Sequence, residues 1–297
     1  MPLPPLAPTP PTLSRPEPRE FKFSTQDFAR VKTLIYQHAG ISLTEAKQEM
    51  VYSRLARRLR ALGHSGFDAY LDQLERNPRS PEWQSFVNAL TTNLTSFFRE
   101  AHHFPLLVEQ AARNGRRPMV VWSAACSTGE EPYSIAMALV EHFGGFDAPV
   151  KVLATDIDTN VLATAREGVY REDALASVHA ERLRRFFLKG KDGNTGFARI
   201  REELKALVDF RALNLLAPSW PLRAPLDAIF CRNVLIYFDK DTQYRVLQRF
   251  APLLRSDGLL FIGHSESLFH AGDLFRLRGK TVYELAPGVS GGQGRSS

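Results

Sequence analysis

The 297-residue sequence predicts an α/β protein: a doubly wound, mostly parallel sheet, preceded by a small all-α domain and carrying a small β-insert. Three observations lead there. From about residue 21 to 115 the apolar positions recur at helical spacing. From Pro118 short apolar runs of strand type alternate with helical segments. Between residues 186 and 212 that alternation is broken by a glycine-spaced turn (Gly190, Gly193, Gly196) flanked by strand-like pieces.

Residues 1–18 hold eight prolines and few bulky apolar side chains, so residues 1–20 are expected to be a disordered tail. Ser24 or Thr25 can cap a first helix that stops at Gly40. A second follows Thr44 and ends at Gly63, with Val51, Leu55, Leu59 and Leu62 as its apolar stripe. A third is expected near Phe67–Asn77, a fourth after Ser80-Pro81, and a fifth over roughly Glu100–Asn114. The sheet domain, expected over 116–287, begins with a strand at Met119–Trp122 and a helix over Pro132–Phe143. Strand Val150–Thr155, helix Thr159–Glu167, strand Leu226–Cys231, helix Thr242–Leu254, strand Leu259–Gly263 and a final strand Val282–Leu285 complete it. Residues 288–297 read as a flexible tail.

With 44% hydrophobic and 24% charged residues, the composition is that of a globular protein and excludes a disordered chain, a collagen-like fibre or a coiled-coil rod. The sequence shows no apolar run of membrane-spanning length and no secretory leader, so no membrane insertion and a cytoplasmic location are expected. Two cysteines make no disulfide framework, and no zinc-type spacing is present, so no metal is expected. The net charge is +6, and residues 30–60 alone carry seven cationic side chains against two acids. Such a face suits an acidic partner.

Three strings carry chemistry. Ser123-Ala-Ala-Cys-Ser-Thr-Gly-Glu130-Glu131-Pro132 forms the first βα turn of a doubly wound sheet, where ligands bind at the carboxyl ends of the strands. It lacks the G-x-G-x-x-G pattern, and two acids at the helix start repel a pyrophosphate while favouring a cation; the alternative is a loop with helix-capping acids. Ala154-Thr155-Asp156-Ile157-Asp158 ends the second strand with an acid suited to a ribose diol, Asp158 or Thr159 capping the next helix. Asp227–Asp239 delivers Arg232, Asn233 and Tyr237 to the same edge. Enzymes that methylate exocyclic amines often carry Asn/Asp-Pro-Pro there; this chain has Asn233-Val234.

Over about residues 21–286 the chain resembles the CheR family of chemotaxis receptor methyltransferases. The resemblance rests on Thr92-Asn-Leu-Thr-Ser-Phe-Phe-Arg-Glu100, Cys126–Ser134, Ala154–Asp158, and Cys231–Val234 with Tyr237-Phe-Asp239. It implies a class I S-adenosylmethionine-dependent methyltransferase fold. It further implies transfer of a methyl to glutamate side chains of chemoreceptors for sensory adaptation, with S-adenosylhomocysteine as product. The implied cofactor residues are Asn93, Thr95, Arg99, Glu130, Asp156, Asn214, Leu215, Asn233 and Val234. Arg99 and Tyr237 are expected to orient acceptor and cofactor, the alternatives being a surface helix pair for Arg99 and a core aromatic for Tyr237. A carboxylate acceptor is ionised at pH 7, so alignment rather than a strong base is the enzyme's task.

The expected partner is the cytoplasmic domain of chemoreceptors, met by a monomer through Lys47, Arg54, Arg57 and Arg58 on the second helix; a solvated face is the plainer reading of these charges. Reversing Arg54 or Arg58 is expected to weaken receptor methylation and spare cofactor affinity. The β-insert, through Phe197–Ile200 or Ala206–Phe210, is a candidate edge for a receptor C-terminal peptide. Cys126 and Cys231 read as buried small residues. The rival readings are a nucleic-acid methyltransferase, disfavoured by the lack of stacking aromatics among the arginines, a non-catalytic cofactor-binding module, and a nicotinamide dehydrogenase, which fails on the glycine pattern; no nucleic-acid partner is expected.

Overall fold

The computed structural model describes residues 19–115 and 117–292. The proline-rich segment 1–18 and residues 293–297 lie outside the described residues. Helix α1 (Thr25–Ala39) opens with a capping box in which Ser24 and Asp27 satisfy one another's backbone N–H groups. It closes on Gly40, whose φ of 70° is left-handed. A Cβ there would fall 2.4 Å from Leu216 Cδ1, so the stop of α1 is also a close approach to the sheet domain. A single 3₁₀ turn, Glu45–Lys47, leads into α2 (Gln48–Leu62), followed by α3 (Phe67–Arg76) and α4 (Glu82–Leu90). Val51, Leu55 and Leu59 are buried on α2, whereas Leu62, expected on the same stripe, is 42% exposed in the last turn. Together with Phe28, Phe67, Tyr70 and Phe86 these residues form a core of the helical domain.

Helix α5 (His103–Asn114) leads to β1 (Met119–Ala124), α6 (Glu130–Phe143), β2 (Val150–Asp156) and α7 (Thr159–Glu167). Then come β3 (Val169–Arg171), α8 (Ala180–Phe186), β4 (Phe187–Lys189), β5 (Phe197–Ile200), α9 (Glu202–Lys205) and β6 (Val208–Ala212). The chain ends with β7 (Leu226–Cys231), α10 (Lys240–Phe250), β8 (Leu254–Ile262), β9 (Phe275–Gly279) and β10 (Val282–Leu285). The main sheet runs β6-β2-β1-β7-β8-β10-β9, parallel from β6 through β8, with β10 antiparallel to both neighbours. Its strands alternate between two cores. Val121, Val152, Phe230 and Phe261 face α5 and α6. Trp122, Leu153, Ile229, Leu260 and Ile262 face α10.

Two expectations change. The β-insert is the three-stranded antiparallel sheet β3-β5-β4, which starts at Val169 rather than near 186. Its middle strand is β5, so Phe197–Ile200 is covered on both sides, while β6, expected to belong to the insert, is the edge strand of the main sheet beside β2. The apolar run at 206–210 cannot tell an insert from a sheet edge, because pairing partners are set by topology. The described part of the C-terminal tail is also packed: Val289 joins the core around α10, and the Gly292 N–H donates to Leu254 O at 2.8 Å, meeting a carbonyl at the start of β8.

Candidate active site

The carboxyl ends of β1 and β7 meet where the strand order reverses, and a cavity of about 420 Å³ opens there against the helical domain. Asn93, Thr95, Arg99, Asp156, Asn214, Leu215, Asn233, Val234 and Tyr237 all line it, as does Lys47. Glu130 does not. Glu131 stands on the wall instead, accepting from Ser123 Oγ at 2.7 Å and facing Arg232 Nη1 at 3.3 Å. Helix α6 begins at Glu130, and a step of one residue turns a side chain by about 100°. That step sends Glu130 away, to accept from Thr128 Oγ1 at 2.7 Å, and brings Glu131 round. Burial pushes both carboxyls up.

Asp156 is buried at the tip of β2, accepting from the Ser127 N–H at 2.8 Å and the Asp158 N–H at 2.9 Å. Desolvation outweighs those hydrogen bonds and raises its carboxyl to about 6. Asp158 caps α7, as expected, through Asn160 and Val161 N–H groups. Its other oxygen accepts from Thr91 Oγ1 at 2.7 Å and Asn93 Nδ2 at 2.8 Å, fastening the interdomain linker to the sheet. Arg99 Nη1 donates to Leu94 O at 3.0 Å, so Arg99 also holds the linker in shape.

Asn214 lines the cavity and carries a second role. Its amide donates to His38 O at the end of α1 at 2.8 Å, and its oxygen accepts from Leu216 N–H at 2.8 Å. The side chain thus helps dock the two domains, while Asn214 still lines the cavity. Tyr237 is half-buried on the wall; its carbonyl accepts from Ser42 N–H at 2.8 Å, and its hydroxyl has no hydrogen-bond partner among the described residues.

Two acids escaped the sequence reading. Glu266 is buried after β8 and accepts three backbone N–H groups: Asn233 at 2.9 Å, Leu235 at 2.8 Å and Gly263 at 2.6 Å. It holds Asn233 at a left-handed φ of 59°. Glu100 faces Arg232 at 3.5 Å and accepts from His264 Nδ1 at 2.8 Å. Its burial is outweighed by the His264 hydrogen bonds and by Arg232, which bring its carboxyl down to about 2. An acid just past a glycine-ended strand was the available signal for Glu266; Glu100 closes the Thr92–Glu100 string, where nothing local names Arg232 or His264 as its partners.

Of the four basic residues expected on the second helix, Lys47 falls on the 3₁₀ turn before α2 and the other three, on α2, separate. Arg58 is paired with Glu82, which is buried and also accepts from Tyr70 OH at 2.9 Å. Arg54 is half-buried and donates to the carbonyls of Ala89 and Thr91 at the end of α4. Lys47 and Arg57 are exposed. The expected reversal test at Arg54 or Arg58 would thus disturb the fold, because sequence spacing shows the cationic face and not which members of it are already paired. Cys126 and Cys231 are fully buried, and burial pushes both thiols up. No described helix is long and apolar enough to cross a membrane.

Residues 93–284 match the family described as "CheR methyltransferase, SAM binding domain", and residues 26–91 match "CheR methyltransferase, all-alpha domain". The chain is 55% identical over 270 residues to "Chemotaxis protein methyltransferase 2" of Pseudomonas aeruginosa, covering 90% of this chain and 96% of that one. It is 54% identical over 263 residues to "Chemotaxis protein methyltransferase" of Escherichia coli K12, covering 89% and 92%. The donor set fits S-adenosylmethionine: acids Glu131 and Asp156 suit its cationic end and its ribose, and Leu213, Leu215 and Val234 offer an apolar wall. The cavity, its chemistry and these matches together place the chain in the CheR family, as a chemotaxis methyltransferase that uses S-adenosylmethionine.

Proposed function

We propose that the chain transfers the methyl to glutamate carboxylates of chemoreceptors, forming methyl esters. The observation that carries this reading is that both acids on the cavity wall are already engaged, Glu131 by Ser123 and Arg232 and Asp156 by two backbone N–H groups. An amine acceptor must shed a proton to a base, whereas a carboxylate is ionised and nucleophilic at pH 7. Asn233-Val234 in place of Asn/Asp-Pro-Pro points the same way.

Bound S-adenosylmethionine supplies an electrophilic methyl on a cationic sulfur. Asp156 would hold the ribose, Glu131 the ammonium end, and the Leu215 and Val234 wall the adenine. Asn93 keeps the linker over the cavity, Thr95 lines it, and Arg99 holds the linker's turn. The Tyr237 hydroxyl is the available donor for a visiting carboxylate. A single neutral donor orients that oxygen without quenching its charge, as a cluster of cations would. The chemistry is then in-line alignment with water excluded.

The protein partner on this reading is the cytoplasmic domain of a chemoreceptor, approached by Lys47 and Arg57. The two outer strands of the insert, β3 and β4, are the open edges for a receptor tail peptide. Incubation with receptor-containing membranes and methyl-labelled cofactor tests the reaction. Base-labile label on the receptor is the expected result; base-stable label would replace the carboxylate by an amine.

A further inference from the structure

Two large apolar side chains stand in water at the mouth of the cavity, and a third stands in water on a loop tied to one of them. Leu94 is 81% exposed, Ile236 50% and Phe269 95%, and none of them belongs to a core. They come from three separate loops. Leu94 lies on the linker, where exposure alternates: Asn93 and Thr95 are half-buried while Thr92, Leu94 and Ser96 are exposed. Ile236 lies on the turn after β7, beside Tyr237, and both Leu94 and Ile236 border the cavity. Phe269 lies on the loop after β8, and Glu266 three residues earlier ties that loop to the Ile236 turn by accepting the Leu235 N–H at 2.8 Å. A lone exposed leucine is ordinary; two exposed apolar side chains bordering one opening, with a third on a loop fastened beside them, mark a contact surface.

Charge identifies the occupant. The acids Glu131 and Asp156 lie inside the cavity, where a cationic cofactor suits them, while the exposed cation Lys47 borders its mouth. A second exposed cation, Arg57, stands on α2 near Arg54, whose guanidinium holds Thr91 O at the root of the linker.

We propose that Leu94, Ile236 and Phe269 form an apolar rim that grips the acceptor-bearing segment of the protein substrate, an anionic segment with apolar side chains on either side of its modified glutamate. This rests on the carboxylate reading above and adds where the substrate is held. Lys47 and Arg57 draw the segment in, the rim covers its apolar flanks, and the glutamate passes between Leu94 and Ile236 toward Tyr237.

The test uses the full chain with receptor-containing membranes, measuring initial rates against receptor concentration. Phe269→Ser is the cleanest variant, because Phe269 lies outside the cavity. Its KM for receptor is expected to rise about tenfold, with kcat at saturating receptor, S-adenosylhomocysteine affinity and melting temperature unchanged. Phe269→Leu should recover most of the loss, and Leu94→Ser with Ile236→Ser should raise KM further. An unchanged KM in all variants overturns the rim. So does a fall in kcat and cofactor affinity with KM intact. A concentration-dependent dimer that Phe269→Ser dissolves, or binding to anionic vesicles lacking receptor that it abolishes, would assign the rim to another partner and equally overturn the proposal. Base-stable label made by the unaltered chain overturns the carboxylate reading; base-labile label with unshifted KM overturns the rim alone.

Discussion

The cavity has two walls built in opposite ways. On the sheet side the acids and the turn that carries Asn233 are locked: Asp156 by two N–H groups, Glu131 by Ser123 and Arg232, and the Asn233 backbone by Glu266. Around the mouth Lys47 of the helical domain, Leu94 of the linker and Ile236 of the turn after β7 stand exposed. The difference teaches what each wall meets. A small molecule of fixed shape rewards groups held in place before it arrives. A protein segment brings its own surface, and the wall that receives it keeps solvated cations and bare apolar side chains whose desolvation is deferred to the encounter. The largest way to break this comparison is to unlock the sheet wall. Glu266→Ala leaves three N–H groups, two of them buried, without an acceptor, at a cost of about 3 kcal/mol. Thermal melting should show that loss, and calorimetry should show S-adenosylhomocysteine binding nearly abolished. Unaltered binding would mean that Asn233 keeps its left-handed turn unaided.

The comparison also runs within one helix. Arg58→Glu sets a second carboxylate against Glu82, which is 9% exposed, and should destabilise the fold by about 2 kcal/mol after allowance for the solvent that reaches Arg58. A melt that does not move would show Arg58 to be a surface charge after all.

Much of the fold was legible because local signals and tertiary structure agree. The Ser24 cap, the Gly40 and Gly63 stops, and the strands Leu226–Cys231 and Val282–Leu285 stand where capping chemistry and apolar runs put them. The insert was misplaced because Val208–Ala212 is strand-like whichever sheet it joins, and only the parallel register with β2 decides. The candidate site was legible where a motif delivers a side chain to a strand end, as with Asp156 and Asn233. It was illegible where one residue of helical rotation matters, as between Glu130 and Glu131. It was illegible again where partners lie far apart in sequence, as with Arg58 and Glu82, or Asn214 and His38.

Asp156 sharpens the locked wall by pH. Its carboxyl is raised to about 6 by burial, so the folded chain protonates it well above the ordinary aspartate range. A protonated Asp156 loses an acceptor for the ribose, and S-adenosylhomocysteine affinity should fall as pH drops through about 6, roughly tenfold by pH 5. Stability runs the other way. The raised group favours the folded state most fully below its unfolded value, and that contribution is lost as pH rises through about 6. Asp156→Asn should bind the product more weakly at pH 8 and flatten the affinity profile. A profile that keeps its bend in this variant would assign the bend to another group.

The smallest expected effect falls on the open wall. Arg57 is exposed and, among the described residues, makes no hydrogen bond or ion pair, one position from the paired Arg58. Arg57→Glu should therefore shift the melting temperature by no more than about 2 °C. An anionic receptor segment meeting it loses one attraction and gains one repulsion, both solvated, so KM for receptor should rise a few-fold and the rise should shrink at high salt. Cofactor affinity should not change, because no cavity-lining group rests on Arg57. A salt-independent rise would show that Arg57 is buried in the complex and makes a fixed contact there. No rise at all, with Lys47→Glu equally silent, would leave the apolar rim as the whole of substrate recognition on this side of the cavity.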